Sequence, residues 1–165
     1  MLRPLLILCA LAGTAPGITP AQATVRVEPA NLQGPRHLEE QTATEAIRDY
    51  LESWQSLSAA LEQNRADLLD ADFVGTAKDK LKETIQEQLA IGLSTHYQDR
   101  AHDVQIVFYS PEGLSIELTD TVEYDVEVLD RHKIKTRQNV SARYVIVLTP
   151  AEVRWRVRVF QSVPR

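Results

Sequence analysis

The chain has 165 residues, 44% hydrophobic and 25% charged, with 23 acidic against 18 basic residues and a formal net charge of −5. That length suits one domain with a real core. The acidic balance argues against a nucleic-acid or anionic-membrane surface, and the single cysteine excludes an internal disulfide and a thiolate metal cage.

Residues 1–23 carry the pattern of a cleaved export signal: Arg3, the apolar run Leu5 to Leu11, and the small-residue site Ala21-Gln22-Ala23. Thr14, Pro16, Gly17 and Pro20 interrupt the run well short of the roughly 20 apolar residues that a membrane span needs. Leu8 stands before Cys9 where a lipid-anchor site wants a small residue. Cleavage after Ala23 is therefore expected, with a mature chain that is periplasmic or extracellular, free of cysteine and without a membrane span. It removes one basic residue and no acidic one.

Residues 24–41 contain Pro29, Gly34 and Pro35 and no period, which predicts an extended arm or linker. A single domain is expected over 42–163. Thr42 and Glu45 have capping-box spacing, and Ile47, Tyr50, Leu51, Trp54, Leu57 and Leu61 follow at steps of three and four. "DLLDADFVG" predicts a short helical turn plugged in by Leu68, Leu69 and Phe73. A second helix is predicted from Thr76 to Ile91, with Ala77, Leu81, Ile85 and Leu89 on one row and Gly92 at its end. Its lysines and glutamates form a solvated face.

From about His102 the period becomes two. Val104, Ile106 and Phe108 alternate in a first strand, and Pro111, Glu112 and Gly113 supply a hairpin loop. Long second and third strands follow, then Thr149 to Glu152 turns the chain into "VRWRVRVFQS". The expected fold class is α+β, with the N-terminal helices packed on a curved, four-stranded antiparallel sheet.

Hairpin geometry predicts the register. Phe108 should face Ile116, Ile106 face Leu118, and Val104 face Asp120. Pairing Val128 with Ile134 sets Glu127 against Lys135, Asp125 against Arg137, Val122 against Val140, Asp120 against Ala142 and Leu118 against Tyr144. In the last hairpin Ile146 should meet Trp155, and Tyr144 meet Val157. Val153, Trp155, Val157 and Val159 then point inward. An apolar cluster of Val107, Tyr109, Val145 and Val147 lies outside, covered by the stems of Arg154 and Arg156 or by a partner.

This order of elements resembles the NTF2-like superfamily, the cone fold of ketosteroid isomerases and SnoaL-like cyclases. "AIRDYLESWQSLSAAL", "DADFVG" and Trp155 in "VRWRV" carry the resemblance, over about Thr42 to Ser162. It implies a pocket between helices and sheet, and dimers through the open sheet face. No catalytic motif of the family matches residue by residue.

Tyr50, Trp54, Phe73, Tyr124, Tyr144 and Trp155 are candidate core or pocket-lining residues. Asp120 breaks the pattern: it holds an inward phase in an apolar row, with Gln138 as the next inward polar residue. Either Asp120 enters a polar pocket, where it is the candidate general acid or base, or a bulge at Thr119 to Thr121 turns it outward. His96, Asp99, His102 and Asp103 lack metal-ligand spacing, and His37 and His132 belong to the arm and a hairpin tip. No G-x-S-x-G, Gly-rich phosphate loop or H-E-x-x-H occurs, so no cofactor is expected.

Three functions fit these residues. The first is a non-catalytic exported domain that binds a protein partner or a second copy of itself. The second is a pocket for a small apolar ligand. The third is a cofactor-independent isomerase, dehydratase or cyclase using Asp120.

Overall fold

Helix α1, Glu40–Gln63, sends Ala46, Tyr50, Trp54, Leu57 and Leu61 into the core, as its apolar steps require. The computed structural model describes residues 22–32, 34 and 36–164; Cys9 and residues 1–21 of the expected signal lie outside them. The helix starts two residues before Thr42, and no side chain caps it. Leu38 and Ala43 flank its first turn and both join the core, so a hydrophobic staple sets the start where a capping box was expected. Asn64 ends the helix in the left-handed conformation, its N–H donating to the Ala60 carbonyl.

A 3-10 turn, Ala66–Leu69, buries Leu69, and Phe73 follows it into the core. Helix α2, Gly75–Ala90, buries Ala77, Ile85 and Gln88 but leaves Leu89 56% exposed, so the expected row loses its last member and Gln88 is buried in its place. Gln88 is buried because its amide donates to the Leu61 carbonyl and to Asn64 Oδ1, tying α2 to the end of α1.

The sheet has five strands rather than four, in the order β1-β2-β3-β4-β5. They are β1 (Thr24–Val27), β2 (Leu93–Tyr109), β3 (Ile116–Asp130), β4 (Lys133–Pro150) and β5 (Trp155–Val163). The first part of the expected arm is β1, which pairs in parallel with Ala101–Val104 of β2. Beyond it Glu28 and Asn31 donate to the Val104 and Ile106 carbonyls, satisfying an edge that would otherwise stand bare. Strand β2 starts nine residues before His102, because Leu93 to Arg100 runs past the helices with both faces partly wet.

Turn lengths and bulges together explain the departures from the expected register. Ile106 faces Leu118 and Val104 faces Asp120 as expected, but an extra residue at Val107 sets Tyr109 against Ile116 and Phe108 against Glu117. Tyr109 therefore turns into the core instead of joining an outer cluster. Between β3 and β4 a two-residue turn uses Arg131 and His132, both at positive φ, followed by a bulge at Lys135. Pairing consequently slips by two: Glu127 faces Arg137, Asp125 faces Asn139, Val122 faces Ala142, Asp120 faces Tyr144 and Leu118 faces Ile146. Past the bulge the even slip keeps side chains on their expected face, whereas Ile134, paired with Leu129, lies on the opposite one.

In the last hairpin Pro150 faces Trp155, Leu148 faces Val157 and Ile146 faces Phe160, with a bulge at Arg158. The bulge turns Phe160 inward, where its ring stacks on Tyr144 at 4.7 Å between centroids. Arg154 and Arg156 are not rim residues of the outer face. Arg154 turns back to the buried carboxylate of Asp72, and Arg156 donates to the carbonyls of Asp70 and Phe73. Those acceptors, on the connection between the 3-10 turn and α2, would otherwise be poorly satisfied.

Candidate functional site

Asp120 is fully buried on β3, and pairing runs unbroken through Thr119, Asp120 and Thr121, so its side chain points inward. Three groups hold it. The Tyr50 hydroxyl donates to Oδ2 at 2.8 Å, His102 Nδ1 lies 2.7 Å from the same oxygen, and the Asp103 backbone N–H donates to Oδ1 at 3.0 Å. Such bonds offset the cost of removing a carboxylate from water.

His102 is the residue that sequence reasoning missed. It stands two residues before Val104 on β2 and so shares that inward phase, diagonal to Asp120. Its other ring nitrogen, Nε2, lies 3.8 Å from Asp99 Oδ2, and the Trp54 indole meets its ring edge-on at 5.3 Å. Burial alone works against the charged imidazole. The hydrogen bonds and charges of Asp120 and Asp99 outweigh it, raising the pKa of His102 to about 9. The histidine is thus an imidazolium at neutral pH, bracketed by two carboxylates. Tyr50, buried and beside Asp120, is held well above the ordinary phenol range, first by burial and then by that charge.

Aromatic rings fill the interior around this group. Trp54 packs against Tyr124, Tyr144 and Phe160 at 5.9, 5.7 and 5.4 Å, and the Tyr124 and Tyr144 hydroxyls lie 3.0 Å apart. Tyr97 meets Tyr124 edge-on, and burial pushes its phenol up to about 12.

A cavity lies beside this cluster rather than within it. A groove of about 1110 Å³ runs between α1 and the first half of β2, and Gln22, Ala23 and Val25 also line it. Ile47, Leu51, Ala59 and Tyr97 give it apolar walls; Trp54, Asp99 and His102 reach it from the interior. Asp99 Oδ1 is buried there with no hydrogen-bond partner among the described residues.

Of the residues expected to line a pocket, Trp54 lines the groove and Trp155 lines a second cavity of about 410 Å³ beside Asp49 and Arg154. Tyr50, Phe73, Asp120, Tyr124 and Trp155 lie buried in the core, with Tyr144 half-buried against it. Gln138 stands exposed on the part of β4 beyond β5, where no element covers its inward phase. On the outer face Val107, Val145 and Val147 are half-buried. His37 and His132 are exposed, and among the described residues no group of three or more His, Cys, Asp or Glu is arranged to hold a metal ion. No described helix is long and apolar enough to cross a membrane.

No protein-family model and no curated protein matches the sequence. Solved structures do match. The intermembrane-space region of chloroplast protein ARC6 superposes with a TM-score of 0.64 at 14% identity, covering 79% of this chain and 100% of that one. A candidate scytalone dehydratase from Novosphingobium aromaticivorans gives 0.52 at 15% identity, covering 76% and 89%. The Kfla4162 protein of Kribbella flavida gives 0.51 at 11% identity, covering 73% and 91%. At these identities the likeness is one of fold.

Proposed function

The chain has an NTF2-like cone fold, and on that premise we propose that it is an exported, non-catalytic binding domain whose groove beside α1 receives an apolar ligand. The groove itself carries the reading. Its volume of about 1110 Å³ lies just above the roughly 300–1,000 Å³ usual for small-molecule sites. Apolar side chains line it beside polar and charged ones, among them Ser58, Glu62, His96 and Asp99.

Asp120 is poorly placed to move a proton. A general base must reach the proton it removes, yet this carboxylate is fully buried and both its oxygens are already bonded. His102 in turn holds its proton between two carboxylates and is a poor base at neutral pH. The pair is a charged staple joining α1, β2 and β3. Cleavage after Ala23 belongs to the same proposal and would trim the part of the groove that Gln22 and Ala23 line.

Fluorescence titration with the neutral probe N-phenyl-1-naphthylamine tests the binding reading. The folded protein should bind it saturably at one site. Ala59→Phe, which fills the groove from α1, should abolish binding while preserving the circular dichroism spectrum. Binding that survives this substitution, or no binding by the parent, would defeat the reading.

A second reading, self-association through the outer sheet face, is favoured by one row of half-buried side chains. Phe108, Glu117, Val147 and Val159 form one row of paired positions there, with Val145 beside them.

A further inference from the structure

The sheet has a long edge on β4 that no other described strand covers. Strand β5 pairs with β4 only between Arg143 and Pro150, and Pro164, with no N–H to donate, follows its last residue. From Lys133 to Val140, β4 therefore has β3 on one side and no strand on the other among the described residues. Lys133 to Asn139 are all exposed. Alternate N–H and C=O groups along such an edge point away from the sheet and can pair with an added strand. The stretch contains no proline, and its bulge sits at Lys135 near the turn, so pairing with β3 is regular from Thr136 onward.

Charge says what kind of strand fits. From Arg131 to Arg143 there are five basic residues and no acidic one, in a chain of net charge −5. The neighbour that β4 already has is its complement: Glu127 pairs with Arg137, Asp130 with Lys135, and Asp125 accepts from Asn139 and Arg100. Lys135 and Arg137 stay exposed in those pairs, and Arg131, Lys133 and Arg143 have no ion-pair partner among the described residues. A second copy of β4 would set like charges against each other, which disfavours pairing of this edge with itself.

We propose that this edge takes an extended acidic segment of a protein partner as a sixth strand. Main-chain bonds to β4 hold it. Its apolar residues lie on the inward phase beside Thr136, Gln138 and Val140, and its carboxylates on the outward phase near Arg137 and Arg143. The groove lies against β2, across the sheet, so this surface is independent of it.

A short blocked peptide that alternates glutamate with valine is the probe, titrated at pH 7 and followed by amide hydrogen exchange in NMR. At saturation, alternate amides between Lys133 and Val140 should gain protection, and those of β1 should not change. A lysine–valine peptide should bind at least about tenfold more weakly. The glutamate peptide methylated at every backbone nitrogen keeps its charge, loses its donors, and should weaken likewise. Lys133→Glu combined with Arg143→Glu, at exposed positions, should cost about tenfold. Equal binding of the glutamate and lysine peptides, or undiminished binding of the methylated one, overturns the proposal. So does protection that is absent or lies elsewhere. Protection of the same amides in the free protein as it dimerises would give the edge to a second copy and overturn it too. Should the double variant fail to fold, the three peptides on the parent protein still decide.

Discussion

His102 makes stability depend on pH in a direction that the structure fixes. Its pKa is about 9 in the folded chain against 6.5 for a free histidine, so the native state holds its proton more tightly than the unfolded state does. That stabilisation is complete below pH 6.5 and is lost as pH rises through about 9. The interval from 6.5 to about 9, at 1.36 kcal/mol per pH unit, is worth roughly 3 kcal/mol. Asp120→Asn removes the charge and the closer hydrogen bond that hold the proton. It should cost about 2–4 kcal/mol at pH 6, where a buried charged pair is broken. At pH 10, with His102 neutral in both proteins, the difference should be much smaller. Urea unfolding followed by the fluorescence of Trp54 and Trp155 from pH 6 to 10 gives both curves. They should converge with rising pH. Parallel curves, or a His102 imidazole that titrates near 6.5 by NMR, would refute the staple.

Three further outcomes are expected. Exported material should begin at Thr24 by mass spectrometry and have a melting temperature indifferent to thiol reductants, because Cys9 leaves with the signal; retention of Met1 would contradict this. Asp72→Ala should destabilise the fold by about 2 kcal/mol, since the buried carboxylate binds Ser56 and Arg154; denaturant midpoints measure it, and a neutral effect would sink the account of how β5 is anchored. If the outer face self-associates, Val145→Glu should convert a dimer to a folded monomer in sedimentation experiments, and a parent protein that is monomeric at micromolar concentration removes that reading.

The helices and the faces of the strands were legible because periods of three to four and of two survive wherever one side is buried. Ile47 to Leu61 and Ile116 to Tyr124 are such stretches. Register was legible only where Val104 faces Asp120 and Ile106 faces Leu118; elsewhere it depends on turn lengths and on bulges at Val107, Lys135 and Arg158, where nothing in residue type announces an extra residue. Arg131-His132 closes a tight hairpin at positive φ without the Asn or Gly that usually signals one. β1 was hidden because four residues on an exposed edge need no apolar alternation. Asp120 was found because a carboxylate in an inward row must be held by something. What holds it was only half readable: His102 lies in phase with Val104, whereas Tyr50 comes from a helix whose height above the sheet no spacing reveals. The groove went unseen because Ile47 and Leu51 read as core, and the free flank of β2 that faces them begins before the strand itself becomes periodic.

The central claim is that a ligand enters between α1 and β2. Methyl and aromatic NMR spectra recorded during titration with N-phenyl-1-naphthylamine test it most directly. The account predicts saturable shifts confined to Ile47, Leu51, Ala59 and Tyr97, with Val145 and Val147 unmoved. Shifts centred on Val145 and Val147, or no saturable shifts anywhere, would contradict it.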